Sequence, residues 1–207
     1  EGYVYVRVHP NDIPYPEVGR ILYGKPEPIR SQLNTAYATL LNLYKDLSRK
    51  LLEIYPRTFH HFQSHDKERQ EGYRVIERKL SLLEEMGYLG PSGLLPKGEF
   101  AASVFGYELL LSEMHEEGIL DALDEVGLNV LLSALVFEPR KGDRTAELNQ
   151  KHEGLLRETE RHFRHIHKRE AKYRVFPYTK LPYFHLARVV EAWTRNEEFA
   201  KLARITT

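Results

Sequence analysis

No cysteine occurs in the 207 residues. That absence excludes disulfide frameworks, cysteine-type zinc sites and thiol nucleophiles, and it fits a reducing compartment; the expected location is cytoplasmic. Net charge is missing too. Thirty lysines and arginines face 30 aspartates and glutamates, which excludes a uniformly basic nucleic-acid coat but leaves room for a local basic patch. No stretch approaches the roughly 20 apolar residues needed to cross a bilayer, and no signal peptide is visible. There is no phosphate-binding loop of the G-x-x-x-x-G-K-S/T kind, no D-E-x-H run and no arginine-finger motif. Nothing suggests a Ser-His-Asp constellation, and no internal repeat or low-complexity segment stands out. The chain opens on Glu1, not Met, so it is expected to be a piece of a longer polypeptide.

What is present is organised around residues 73–138. Val75, Ile76, Lys79/Leu80, Leu83 and Met86 recur at three- and four-residue steps and predict one apolar helical stripe over Tyr73 to Met86. Gly87 stands where a helix C-terminus favours a residue free to adopt positive φ. Tyr88-Leu89 and Leu94-Leu95 flank Gly90-Pro91-Ser92-Gly93, which reads as a tight hairpin. Two apolar helical runs follow, Val104 to Leu123 and Val126 to Phe137. Helix, hairpin, helix is how a winged helix reads in sequence, with the hairpin as the wing. A helix–loop–helix with an irregular loop reads the same way.

The same stretch resembles the C-terminal (DSHCT) domain of superkiller-type and exosome-associated ATP-dependent RNA helicases of superfamily 2. The resemblance is carried by Gly87-Tyr88-Leu89, Pro96-Lys97-Gly98-Glu99, Glu108-Leu109-Leu110-Leu111-Ser112-Glu113-Met114, Gly118-Ile119-Leu120 and Leu131-Leu132-Ser133-Ala134-Leu135-Val136-Phe137-Glu138, in the family's order and spacing. It implies a mainly α fold: a winged-helix domain followed by a helical bundle, with a short orphan N-terminal strand. On this reading residues 1–23 are the tail of a second RecA-like motor domain. Residues 24–103 are a winged helix, and 104–207 are the DSHCT bundle, cut before the family's ratchet helix.

Elsewhere the residues speak for themselves first. Gly2 to Val8 alternates β-branched and aromatic residues and predicts a strand that needs a sheet to pair with. His9 to Pro16 carries too many prolines for regular structure. Ile29, Leu33, Ala36/Tyr37, Leu40/Leu41 and Tyr44 form an amphipathic stripe with Pro28 fitting its first turn, and a second helix is expected over Arg49 to Ile54. Phe59-His60-His61-Phe62-Gln63-Ser64 resembles a family motif after which many members insert a long arch. Here only the polar stretch His65 to Gly72 intervenes, so no arch is expected. A long helix is predicted from Ala146 to about Arg174, with Leu148, Leu155/Leu156, Thr159, Phe163 and Ile166 on one face. Further helices are predicted over Leu181 to Arg195 and from Glu197 to Ile205. Trp193, Phe199, Leu202 and Thr206 match the family's approach to its ratchet helix, with Asn196 where the family usually has Gly.

Each candidate site has a plainer alternative. His60-His61 with His65, and His162 with His165 and Glu158, have spacings a metal could use, but neither offers three convergent ligands; surface and partly buried histidines fit better, and no metal is expected. Lys97-Gly98 reads as a wing pair rather than a phosphate cradle. Trp193 is expected in the core. The basic run Arg157, Arg161, Arg164, Lys168, Arg169, Lys172 and Arg174 is interleaved with Glu158, Glu160 and Glu170, so a solvated face laced with ion pairs is at least as good a reading as a phosphate track. The residues expected to face a strand are Glu138, Arg140, Lys141, Arg188 and Arg195. The resemblance implies guidance and clamping of single-stranded RNA or DNA, bracing of the helicase's own motor domains, and 3′-to-5′ movement driven by ATP and Mg2+ held elsewhere in the parent enzyme. No cofactor, catalytic residue or membrane contact is expected in this stretch, and with the arch missing exosome-type partners are not supported. Two rivals stand beside it. One is a free-standing winged-helix regulator that reads duplex DNA with the Tyr73–Met86 helix, using Arg74, Arg78 and Lys79. The other is a scaffold that binds a protein through the bundle.

Overall fold

The computed structural model describes residues 14–25, 29–31, 33–143 and 147–205, together with Tyr3, Tyr5, Arg7, His9 and Asn11. It is mainly helical, as the sequence predicts, with one two-stranded sheet among the described residues. The chain forms two compact units, Glu1–Gln32 and Leu33–Thr207.

The first unit contains α1 (Tyr15–Tyr23), whose first two residues close the proline-rich stretch His9 to Pro16 in which no regular structure is expected. Proline tolerates this position because Pro14 caps the helix and Pro16 lies in its first turn, where a missing N–H breaks no intrahelical bond. Arg20 closes on Glu17 one turn back at 2.8 Å. The strand expected over residues 2–8 falls partly outside the described residues; the described Tyr3, Tyr5 and Arg7 lie in no strand. Pro28, Ala146 and Thr206 also lie outside them.

In the second unit, α2 (Tyr37–Leu47) begins eight residues later than the apolar stripe from Ile29 predicts. The amide of Ala36 donates to Asn34 Oδ1 at 2.9 Å, a side-chain-closed turn that holds the backbone out of a helix just ahead of Tyr37. Short helices α3 (Leu51–Ile54) and α4 (Phe59–Gln63) lead to α5 (Asp66–Glu85). The polar stretch read as a linker, His65 to Gly72, is thus mostly the first two turns of α5. Its start is fixed by the Glu68 carboxylate, which accepts the amide of His65 at 3.2 Å. The far end follows the sequence closely. Gly87 has φ +76°, its N–H donates to the Glu84 carbonyl at 3.1 Å, and Tyr88 N–H reaches Leu83 O at 2.8 Å. That is the paired bond pattern that closes a helix at a left-handed glycine.

The hairpin follows as β1 (Leu89–Gly90) and β2 (Gly93–Leu94), antiparallel, with Leu89 opposite Leu94. Then comes α6 (Pro96–Ser103), a helix where the sequence reading places a loop; Lys97 and Gly98 belong to its first turn, not to the wing. The single run expected from Val104 to Leu123 is broken. Gly106 and Tyr107 both take positive φ, α7 covers only Glu108–Glu116, and Gly118 at φ +72° ends it. Next are α8 (Glu125–Val136) and α9 (Gln150–Tyr173), the latter capped by Asn149 accepting from His152 N at 2.9 Å. The last helices, α10 (Ala187–Thr194) and α11 (Phe199–Ile205), are shorter than their patterns suggest.

One core runs through the second unit. Leu40, Leu41, Leu83, Tyr88, Leu109, Leu110, Met114, Leu131 and Ile166 are buried in it, so helices on both sides of the hairpin share it. Set into this core is a polar knot. Glu170, fully buried, accepts from Tyr37 Oη at 2.9 Å, from Thr179 N at 2.9 Å and from Thr179 Oγ1 at 2.9 Å. Lys79, 2% exposed, donates to Thr35 O at 2.6 Å and lies 4.6 Å above the Tyr37 ring. Buried Glu108 accepts the amide of Ala38 at 3.2 Å. Burial lowers the Lys79 pKa, while the Glu170 and Glu108 carboxylates pull it back up. The sequence reading treats Glu170 as one of several solvated glutamates and Lys79 as free for phosphate, and both readings are corrected here. Each lies on the inward face of its helix.

Candidate nucleic-acid interface

Of the five residues expected to face a strand, Arg188 lies on α10, Arg195 caps its C-terminal end, and Glu138, Arg140 and Lys141 follow α8, which packs antiparallel to α10. The pairing is fixed at both ends: Asn129 Nδ2 meets Thr194 Oγ1 at 3.2 Å, and the amide of Tyr183 donates to Ala134 O at 2.8 Å. The loop that carries Glu138, Arg140 and Lys141 therefore lies at the Tyr183 end. Arg195 lies at the Asn129 end. Asn129 and Val136 alone are separated by about 10 Å of helix axis, so the structure does not bring the five together.

The loop has a defined shape. Arg140 N donates to Asp143 Oδ2 at 2.7 Å, and Asp143 N returns to Arg140 O at 3.0 Å. This closed turn leaves the Arg140 and Lys141 side chains exposed, with no ion pair among the described residues. Glu138 is neutralised by Lys180, whose hydrogen bond holds its carboxyl below the usual range. Arg188 is exposed on α10 and likewise has no ion pair among the described residues. Arg195 is committed to Glu191 at 3.1 Å. Arg140, Lys141 and Arg188 are thus the cations available to a phosphate, while Glu138 and Arg195 are already matched.

Five of the seven cations in the basic run are answered by carboxylates, while Lys168 and Arg174 are exposed with no ion pair among the described residues. Arg157 pairs with Glu153 at 3.7 Å, Arg161 with Glu117 at 2.5 Å and Glu158 at 2.9 Å, and Arg164 with Glu160 at 3.3 Å. Arg169 and Lys172 both close on Glu85, whose carboxyl is pulled down to about 2 by Lys172 and Tyr173 hydrogen bonds and by Arg169. The spare charge this run can offer a phosphate backbone is confined to Lys168 and Arg174. Lys97 is matched too, by Glu113 at 2.5 Å and the Met86 carbonyl at 3.0 Å. On α5, Arg78 pairs with Glu71 at 3.4 Å and Lys79 is buried, which leaves a duplex-reading helix only Arg74 of its three proposed cations.

Trp193 is 69% exposed, against the expectation that it packs in the core. It follows buried Ala192 by one residue, and that rotation about the helix carries its ring outward. Leu128, Leu132 and Val136, at i, i+4 and i+8 on α8, are 38%, 43% and 81% exposed and form an apolar stripe beside the packed face. The run Val126 to Phe137 is apolar nearly all round, so its spacing does not separate this stripe from the packed face.

The histidines whose spacing a metal could use part company, in keeping with their reading as surface and partly buried side chains: His162 is buried and His165 is exposed. Among the described residues no three acidic or imidazole side chains are placed to hold a metal ion. Two buried histidines set a pH response instead. Neither ring nitrogen of His152 is hydrogen-bonded among the described residues, and its Nε2 stands 3.4 Å from Glu191. His162 Nε2 stands 3.5 Å from Glu117 and 3.0 Å from the Arg161 guanidinium. Burial lowers the pKa of both below 6.5; Glu191 and Glu117 oppose the shift, while Lys151, Arg195 and Arg161 reinforce it. The unfolded chain therefore takes up protons that the folded chain refuses, so stability is full above about pH 6.5 and falls as pH drops through the folded values. Thermal melting is expected to be higher at about pH 7.5 than at about pH 5.5. Replacing both histidines with leucine should flatten that acid limb, and an unchanged limb would remove them as its source.

No helix among the described residues is long and apolar enough to cross a membrane. The sequence of residues 92–207 matches the model of a protein family described as the DSHCT (NUC185) domain. No curated protein matches the chain.

Proposed function

The chain belongs to the DSHCT (NUC185) domain family, a helicase-associated domain, and from that premise we propose that it is the strand-guiding and motor-bracing C-terminal region of an ATP-dependent 3′-to-5′ helicase of the superkiller-like DExH class. The family match over residues 92–207 carries this reading. The substrate is single-stranded RNA or DNA, held by charge and shape rather than by base readout. ATP and Mg2+ act in the motor domains of the parent enzyme, in the cytoplasm. Residues 24–103 act as an arch-less winged helix, a reading supported by the succession α5, hairpin, α6. Residues 1–23 are the tail of the second motor domain, and 104–207 are the bundle that closes around the strand. The exposed stripe Leu128–Leu132–Val136 supports the bracing role, since a patch of this kind on a helix otherwise well packed marks a contact surface.

The strand is met by the Arg140–Asp143 turn and Arg188. Fluorescence anisotropy of a labelled single-stranded oligonucleotide, titrated across salt concentrations, tests this. Replacing Arg140 and Arg188 with Ala is expected to weaken binding and to reduce the slope of log K against log salt by about 1.4, two phosphate contacts on a single strand. Unchanged affinity at low salt would sink the assignment. A preference for duplex would favour a DNA-reading regulator, and no binding at all a protein scaffold.

A further inference from the structure

At the corner where α4 meets α5, away from the α8–α10 pair, lies a cleft of about 230 Å³ lined by Tyr55, His61, Arg69, Gln70, Tyr73 and Arg74, with Pro56. We propose that this cleft receives one base of a single-stranded nucleic acid and that its rim grips the neighbouring phosphate. The inference rests on the reading of the chain as a strand-binding module, and it adds a second contact to that module.

Size decides first. The cleft is smaller than the roughly 300–1,000 Å³ typical of pockets for whole cofactors or drug-sized ligands, so it suits a single flat ring system. Its walls have the matching chemistry. Tyr55 forms the floor, 2% exposed, with its hydroxyl 3.1 Å from His60 Nδ1 and the His61 ring edge-on at 5.5 Å. Burial raises the Tyr55 pKa, which keeps it a neutral phenol. Tyr73, 37% exposed, adds a second aromatic ring to the lining. Gln70 supplies an amide that both donates and accepts, as a base edge requires.

Charge decides next. No carboxylate lines the cleft. Arg69 is spoken for: it donates to His61 O at 2.7 Å and Phe62 O at 3.3 Å and pairs with Asp66 at 3.1 Å, which makes it a strut rather than a ligand. Arg74 is exposed and has no ion pair among the described residues. On α4 beside the cleft, Phe59 and Phe62 stand 50% and 77% exposed with ring centroids 6.3 Å apart. Exposed aromatic faces next to an unmatched cation are how sequence-tolerant single-strand contacts are built.

Photo-crosslinking of the 207-residue chain to a 4-thiouridine-substituted oligouridylate at low salt, with mass-spectrometric mapping, tests the proposal. Crosslinks are expected at Tyr73 or His61. Tyr73→Ala should weaken anisotropy-measured affinity roughly tenfold, the loss of one base–aromatic stack, and Tyr73→Phe should restore it. Arg74→Glu should weaken binding with an unchanged melting temperature. Crosslinks confined to residues 138–143 and Arg188, with Tyr73→Ala binding like the parent, would overturn the proposal and leave the proposed function standing. No retention of the probe by any variant or by the parent would overturn both. Self-association that Phe59→Ala abolishes, without oligonucleotide binding, would assign the patch to protein contact and overturn it as well.

Discussion

Glu170→Ala is expected to destabilise the second unit by about 3–5 kcal/mol, the cost of removing one member of a buried charged cluster. For a chain of this size that lowers the melting temperature by about 6–20 °C. Glu170 is fully buried and gathers donors from Tyr37 on α2 and from Thr179 after α9, beside buried Lys79 on α5. Its removal strands the Tyr37 hydroxyl and the Thr179 amide without acceptors and leaves the Lys79 ammonium less compensated in a poorly solvated place. Burial and the two nearby carboxylates push the Tyr37 pKa upward, so that hydroxyl keeps its proton and acts as a donor throughout the ordinary pH range. Glu158→Ala, on the exposed side of the same helix, should stay within about 0.5 kcal/mol of the parent. Calorimetric melting of the two variants side by side checks this. Equal melting points would show that the knot holds nothing together.

Gly98→Ala is expected to cost about 3 kcal/mol, at the upper end of ordinary overpacking losses. A Cβ built at Gly98 would stand 2.2 Å from the carbonyl oxygen of Tyr88. That oxygen cannot move aside, because it already accepts the amide of Leu95 at 3.0 Å and so closes the hairpin. Its residue is anchored too, with the Tyr88 ring fully buried and its hydroxyl bonded to Glu113 at 2.8 Å. To admit a methyl group, α6 must therefore lift off the hairpin. The same substitution at Gly154, inside α9 with nothing within 4 Å of the added Cβ, should have the opposite sign and stabilise by about 0.5–1 kcal/mol. Urea unfolding of both variants reads the contrast. A Gly98→Ala midpoint equal to the parent's would mean that hairpin and helix are not held in contact.

These two variants also mark where sequence reading succeeds and fails. The hairpin, the left-handed Gly87 and helices α5, α8 and α9 were legible to within a few residues, apart from the N-terminal start of α5. Each is written in local chemistry: periodic apolar residues, a glycine at the cap, a Gly-Pro-Ser-Gly turn. Helix α6 was missed because Pro96 and Gly98 read as loop punctuation, although proline suits a first helical turn and the glycine is there to admit the Tyr88 carbonyl. The candidate interface was legible only in part. The loop arginine and lysine are exposed and unmatched, but Arg195 is taken by Glu191, Trp193 turns outward, and Lys79 is buried against Tyr37. No spacing rule reports which partner a charge will find.

The sequence by itself determined the helical class, the hairpin and the family, because these depend on residues close in the chain and on motifs in a fixed order. Tertiary structure alone decided the rest: which charges are spent, which aromatic rings stay exposed, and that helices before and after the hairpin share one core around Glu170. Those outcomes depend on contacts between residues as far apart as Tyr37 and Glu170. A buried carboxylate and a solvated one are the same letter until the helices pack.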